Sequence, residues 1–182
     1  TKDLEAENSL RENTLQVDNR FTLKEANILE GGLLFISNKT ELKEDTFDII
    51  QANVSGEARR ITLFLQDRMT AGKILDITAG FRLTHALNLK KLYFEPRIAL
   101  SLRAGEYFKV NGAWGIYKQF ISKSSVLDDL GNYRYTWTIC DNEEIPVLES
   151  MHFVLGTSFS RYDFTVSLEG YYKTTEGLTR YI

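Results

Sequence analysis

The chain has 182 residues, 43% of them apolar, a formal charge of -3 and a pI near 5.5. Its length suffices for one substantial domain, no apolar run approaches the roughly 18 residues of a transmembrane helix, and its mild acidity gives no support to nucleic-acid binding. The single cysteine, Cys140, excludes an internal disulfide scaffold, and 11 Phe plus nine Tyr against two prolines, Pro96 and Pro146, favour strands.

The chain opens Thr1-Lys2-Asp3-Leu4-Glu5 without a secretory leader, so a removed leader or a start inside a longer protein is expected. The first predicted strand, Thr14 to Lys24, sets Leu15, Val17, Phe21 and Leu23 against Gln16, Asp18, Arg20 and Thr22, an alternation of period two. A second runs from Ile28 to Lys39. Residues 40–58 are polar and acidic without strong periodicity and predict a long loop. A third strand spans Arg59 to Met69. After a short turn, Ile74 to His85 alternates Leu75, Ile77, Ala79, Phe81 and Leu83 with Asp76, Thr78, Gly80, Arg82 and Thr84.

Leu92 to Arg103 follows, with Phe94, Ile98, Leu100 and Leu102 opposite Tyr93, Glu95, Arg97, Ala99 and Ser101. The pair Ala104-Gly105 turns the chain into Glu106 to Lys118. Residues 119–150 predict a second long loop holding one extended piece, Tyr133 to Ile139, as a hairpin with later residues. Met151 to Ser160 and Asp163 to Lys173 complete eight wall strands. Residues 173–182 read as the end of one strand and the start of another.

Several of these strands have 11 or 12 residues, whereas strands of soluble sheets average about 5 or 6. A tilted strand needs roughly 9–11 residues to cross a bilayer, and lipid requires a closed hydrogen-bond ladder. Short and long connections alternate, as in outer-membrane barrels with short periplasmic turns and long outer loops. The expected fold is therefore an all-β, transmembrane antiparallel barrel, present in part. A wet lumen accounts for Asp76, Arg82, Glu95 and Arg97, which would be costly in a dry core unless paired.

A series of phrases in fixed order then acquires meaning: LFLQDRM (Leu63 to Met69), DITAGFRL (Asp76 to Leu83), FEPRIALSL (Phe94 to Leu102), YFKVNGAWGIYKQF (Tyr107 to Phe120), HFVLGTSF (His152 to Phe159) and LEGYYKTTEGL (Leu168 to Leu178). Over residues 59–182 they resemble the barrel of TonB-dependent outer-membrane receptors, particularly those of Bacteroidetes-like bacteria. The resemblance implies about eight strands of a 22-strand barrel, filled by a plug domain that is not visible in this chain. It implies uptake of a ferric siderophore, haem, a vitamin or a glycan across the outer membrane of a Gram-negative bacterium, driven by the TonB–ExbB–ExbD complex. No enzymatic role is expected. A passive porin-like or structural barrel is the alternative; a barrel enzyme and a soluble β-rich binding protein are further ones.

Among individual residues, Asp76, Arg82, Glu95 and Arg97 are expected to face the lumen or plug. Tyr133, Arg134, Tyr135 and Trp137 combine rings and a cation in an outer loop and are the expected ligand contacts. Pro96 predicts a bulge or altered pairing. Trp114, Tyr107 and Tyr172 suit membrane interfaces. His85 and His152 lack ligand spacing, Asp128, Asp129, Glu143 and Glu144 lack that of a calcium loop, and Cys140 with Asp141 reads as exposed loop chemistry; no metal, cofactor or catalytic residue is expected.

Overall fold

The computed structural model describes the backbone of residues 5–24, 26–46, 49–127 and 133–178, and the side chains of 7–23, 26–43, 55–123 and 136–178. The described chain is entirely antiparallel β, in two sheets. The strands are β1 (Glu5–Lys24), β2 (Asn27–Thr46), β3 (Ile49–Ala71), β4 (Leu75–Ala86), β5 (Lys91–Ala104), β6 (Phe108–Gln119), β7 (Ile121–Leu127), β8 (Tyr133–Ile139), β9 (Leu148–Arg161) and β10 (Phe164–Glu176). Eight form one meander in the order β1-β2-β3-β4-β5-β6-β9-β10; β7 and β8 form a separate hairpin between β6 and β9. β1 and β10 do not pair with each other, so this is a barrel-like wall left unclosed.

Two expectations about the loops are corrected. Residues 40–58 are mostly strand: Lys39 pairs with Glu57, Glu41 with Ser55 and Leu42 with Val54, so β2 and β3 form one long hairpin. The alternation test fails there because neither side chain set needs to be apolar once a strand projects beyond a buried face. Within 119–150, Tyr133–Ile139 is indeed extended, but it pairs with the preceding Ile121–Leu127 rather than with later residues.

Register gives the wall two chemically distinct faces. One row runs Val17–Leu33–Leu63–Leu83–Phe94 and another Ile77–Leu100–Gly112–Leu155. Much of this face stays exposed: Leu15 is 68% accessible, Leu92 60%, Phe94 56% and Leu168 73%, whereas Leu75, Ile77 and Leu83 on β4 are half-buried. On most strands of the meander the large apolar residues span about eight positions, as from Leu15 to Leu23, Ile61 to Met69 and Leu75 to Leu83. Eight steps of about 3.3 Å, tilted by about 40°, make a band about 20 Å tall. Beyond Ile61 the same face turns charged, with Lys39 paired to Glu41 and Arg59 to Glu57. At the short-turn end rings collect: Phe108 and Phe159 lie 4.9 Å apart, Tyr107 and Phe159 6.1 Å. The turn between β5 and β6 needs Gly105, whose φ is 85°.

The packed interior lies on the other face and is largely polar. Asn38, Thr40, Ala58, Arg60, Thr62, Thr84, Ala86, Tyr93 and Glu95 are buried there, together with Cys140 and Ile145 from the loop joining β8 to β9 and Leu148 at the start of β9. The β7–β8 hairpin leans on β1, β2 and β3. Ile139 approaches Gly56, and the Trp137 N–H donates to Asn8 Oδ1 at 2.9 Å.

Candidate functional site

Pro96 shapes the polar face. The N–H of Arg103 points to Ile74, so odd residues of β5 donate towards β4 and even residues towards β6. Pro96 has no N–H to give β6, and the β5–β6 ladder ends at the pair Arg97–Gly115. Past that point β6 is held by a side chain instead: Glu95 Oε1 accepts the Lys118 N–H at 2.9 Å. Glu95 Oε2 accepts the Thr84 hydroxyl at 3.3 Å, and Thr84 in turn shares a 3.0 Å hydrogen bond with Thr62.

Above this network lies a cleft of about 380 Å3. Its floor is Thr62, Thr84, Arg82 and Glu95; Phe120 and Ile121, at the root of the β7–β8 hairpin, form its roof. Arg60 stacks 4.9 Å from the centre of the Phe120 ring and reaches Glu12 at 3.9 Å. Phe120 packs edge-on against Tyr93, with centroids 5.0 Å apart. The Lys118 ammonium lies 5.9 Å from the Tyr93 ring and pairs with Glu149. Three cations, Arg60, Arg82 and Lys118, thus border a cleft with one carboxylate, Glu95. Glu12 on Arg60 and Glu149 on Lys118 offset two of these charges, so the cleft is rich in hydrogen-bonding groups rather than strongly positive.

The structure brings three of the four polar residues named from sequence together. Arg82 and Glu95 are cross-strand partners, and Arg97 lies two residues further along β5. Arg97 sits between Gly80 and Gly115, and its shielded Nε has no hydrogen-bond partner among the described residues. Asp76 is on the same face but six residues back along β4, roughly 20 Å away. It accepts Thr70 Oγ1 at 2.9 Å and pairs with Arg103 at 3.0 Å, near the short turns.

Trp137 is exposed on the hairpin, with the Lys123 ammonium 5.6 Å from its ring. The side chains of Tyr133, Arg134 and Tyr135, and residues Asp128 and Asp129, lie outside the described residues. Arg60 was within reach of sequence reasoning, since alternation pairs it with Thr62 rather than with Ile61. Phe120 and Tyr93 were not, because only the folded-back hairpin brings them to Arg60.

His85 faces the apolar side, opposite Ile61 and Leu92, whereas His152 is on the polar side with its ring 4.8 Å from Tyr117. Among the described residues no group of three or more His, Cys, Asp or Glu converges. Cys140 is corrected from exposed to buried: its Sγ approaches the Gln119 carbonyl at 3.7 Å, and burial pushes its thiol pKa up, which lowers the fraction present as reactive thiolate. Asp141 is a turn former. Its Oδ1 accepts the N–H groups of Glu143, Glu144 and Ile145 at 2.9, 3.0 and 2.8 Å, which hold its carboxyl below the ordinary aspartate range.

An all-antiparallel wall of this order and shape has the fold of siderophore-receptor-like outer-membrane proteins. The siderophore receptor PirA from Pseudomonas aeruginosa superposes with a TM-score of 0.67 at 17% identity, over 91% of this chain and 32% of that one. The ferric enterobactin receptor PfeA from Pseudomonas aeruginosa, as a double mutant, gives 0.62 at 17% identity, over 92% and 27%. The RagAB peptide transporter gives 0.59 at 10% identity, over 94% and 24%. The chain therefore spans about a third or less of these proteins, and identities this low establish a common fold. No family model and no curated protein matches the sequence.

Proposed function

We propose that the chain is part of the barrel wall of a TonB-dependent receptor in the outer membrane of a Gram-negative bacterium, of the Bacteroidetes-like kind. It serves import of a scarce ligand, a ferric siderophore, haem, vitamin or glycan, and not catalysis. The observation that carries this reading is the division of one eight-strand sheet into an apolar face left largely exposed and a polar, hydrogen-bonded face that is buried across β2 to β5. That is the reverse of a soluble sandwich, whose apolar faces pack together, and it suits a wall with lipid outside and a polar lumen. The fold likeness to siderophore receptors supports it.

In this reading Arg82, Glu95 and Arg97 face the lumen and the plug, Asp76 anchors the periplasmic end, and the β7–β8 hairpin with Tyr133, Arg134, Tyr135 and Trp137 meets the ligand from outside. The plug, the remaining strands and the segment engaging TonB–ExbB–ExbD belong to the rest of the longer protein. The test uses the full-length gene product in its own host. Deletion of the gene should abolish growth on one poor iron, vitamin or glycan source, and a TonB-null background should abolish it equally. Uptake that persists without TonB points to a passive porin and overturns energy coupling. Recovery of the protein outside the membrane fraction overturns the whole reading.

A further inference from the structure

The apolar face carries a depression near its centre. Between β2 and β5 it carries a groove of about 290 Å3, walled by Leu29, Leu65, Ala79, Phe81, Phe94 and Pro96. Ala79 and Pro96 keep its floor low where longer side chains stand on either side. The end nearest the short turns is closed by Asp67, which register places in the row Leu29–Asp67–Ala79. Asp67 Oδ2 accepts Asn27 Nδ2 at 3.3 Å. The Oδ1 atoms of both residues are shielded and have no hydrogen-bond partner among the described residues.

A carboxylate on a lipid-facing surface is costly unless a donor or cation meets it. Its described neighbours on this face, Asn27, Leu29, Leu65, Met69, Ile77 and Ala79, include no cation, and Arg97, which also borders the groove, belongs by register to the opposite face. Lys24, paired through its backbone with Asn27, has its side chain outside the described residues. Two acceptors without a partner among the described residues therefore lie side by side at the short-turn end of an apolar groove that runs towards mid-membrane. That is the polarity, in order and direction, of one phospholipid: headgroup at the short-turn surface, chain inward. The volume is at the lower end of the roughly 300–1,000 Å3 range of ligand pockets, which suits a chain segment and excludes a bulky ring system.

The geometry points to a bound phospholipid with a primary ammonium headgroup, whose N–H donors reach Asp67 Oδ1 and Asn27 Oδ1 while one acyl chain fills the groove past Ala79 and Pro96. This rests on the membrane-wall reading above. The ammonium is specified over a quaternary one because the two Oδ1 atoms are acceptors and need N–H donors.

The test is native mass spectrometry of the full-length protein, released from nanodiscs containing phosphatidylethanolamine, phosphatidylcholine or phosphatidylglycerol. The wild type should retain one phosphatidylethanolamine about tenfold better than either other lipid, the factor expected for one charge-assisted hydrogen bond. Asp67→Asn, which keeps the acceptor for Asn27, should erase the headgroup preference. Ala79→Phe should remove the bound lipid altogether. Equal retention of phosphatidylcholine, or a preference unchanged in Asp67→Asn, overturns the inference, as does an Asp67-dependent protein partner in place of lipid. Heat-modifiable electrophoretic mobility checks that each variant is folded. Insertion of the wild type into the membrane is scored separately, so an inserted protein without bound lipid sinks this inference and leaves the receptor reading standing.

Discussion

The Glu95 carboxylate accepts the backbone N–H of Lys118 at 2.9 Å, at the point where the β5–β6 ladder stops. A side chain thus replaces the backbone pairing that Pro96 interrupts one residue later, and it does so on the floor of the cleft. Glu95→Ala should leave the Lys118 N–H and the Thr84 hydroxyl without this partner. The expected cost is about 1–3 kcal/mol, read as a lowered unfolding midpoint of the full-length protein in detergent. Glu95→Gln keeps an acceptor and should lose clearly less. Equal losses would show that charge rather than hydrogen bonding holds β6.

The two faces of the wall make opposite predictions for one substitution. Leu100→Arg, on the apolar face, should cost about 2–4 kcal/mol if it lies near the membrane midplane. Ala99→Arg, one residue away and on the polar face, should cost much less. Folding yield into lipid vesicles, followed by heat-modifiable mobility, compares the two. A larger loss for Ala99→Arg would reverse the assignment of lipid and lumen.

Gly80 is packed against backbone. A Cβ there would come within 2.6 Å of the Leu65 carbonyl oxygen and 3.0 Å of Gln66 Cα, neither of which can rotate away. Gly80→Ala should destabilise by about 1–3 kcal/mol, as overpacking does. Gly170 has nothing within 4 Å of the same position, and Gly170→Ala should be neutral or slightly stabilising. Thermal unfolding of the two variants side by side checks the contrast.

The turn after Cys140 should be acid-sensitive. Asp141 has a lowered pKa because the N–H of Ile145, followed by those of Glu143 and Glu144, stabilises its charged form. A depressed folded-state pKa means that the carboxylate stabilises the turn above its unfolded value, and that this contribution fades as pH falls through the lowered folded value. Hydrogen exchange of residues 141–147 should accelerate in that window, relative to the intrinsic rate, in the wild type. The change should be largely absent in Asp141→Asn. The group is exposed, so the effect is confined to the turn.

Cys140 reports on the seating of the hairpin root. Buried, with a raised pKa, it should resist maleimide at neutral pH in the folded protein and react after denaturation. Phe120→Ala removes the ring between Arg60 and Tyr93 and should speed the labelling of the native state. Rapid labelling of the wild type would place the 119–121 and 140–148 segments elsewhere.

Much of the wall could be read from alternation alone. The apolar sets Leu75 to Leu83, Phe94 to Leu102 and Phe164 to Tyr172 share one face in the structure, and Arg82 and Glu95 share the other. Period two is a local property of an extended chain, so it survives without knowledge of any neighbour. The extension of β2 and β3 through residues 40–58 was not legible in this way, because its pairing rests on backbone hydrogen bonds that any side chains permit.

By itself, then, the sequence determined a two-faced wall of long strands, since residue type and strand period together place each side chain on a face. Tertiary structure alone decided three things. Register set Arg82 against Glu95 and left Asp76 apart; the missing N–H of Pro96 ended one ladder; and the β7–β8 hairpin folded back to bury Arg60 and Cys140. Each depends on residues far apart in the chain, and no local pattern specifies such distances.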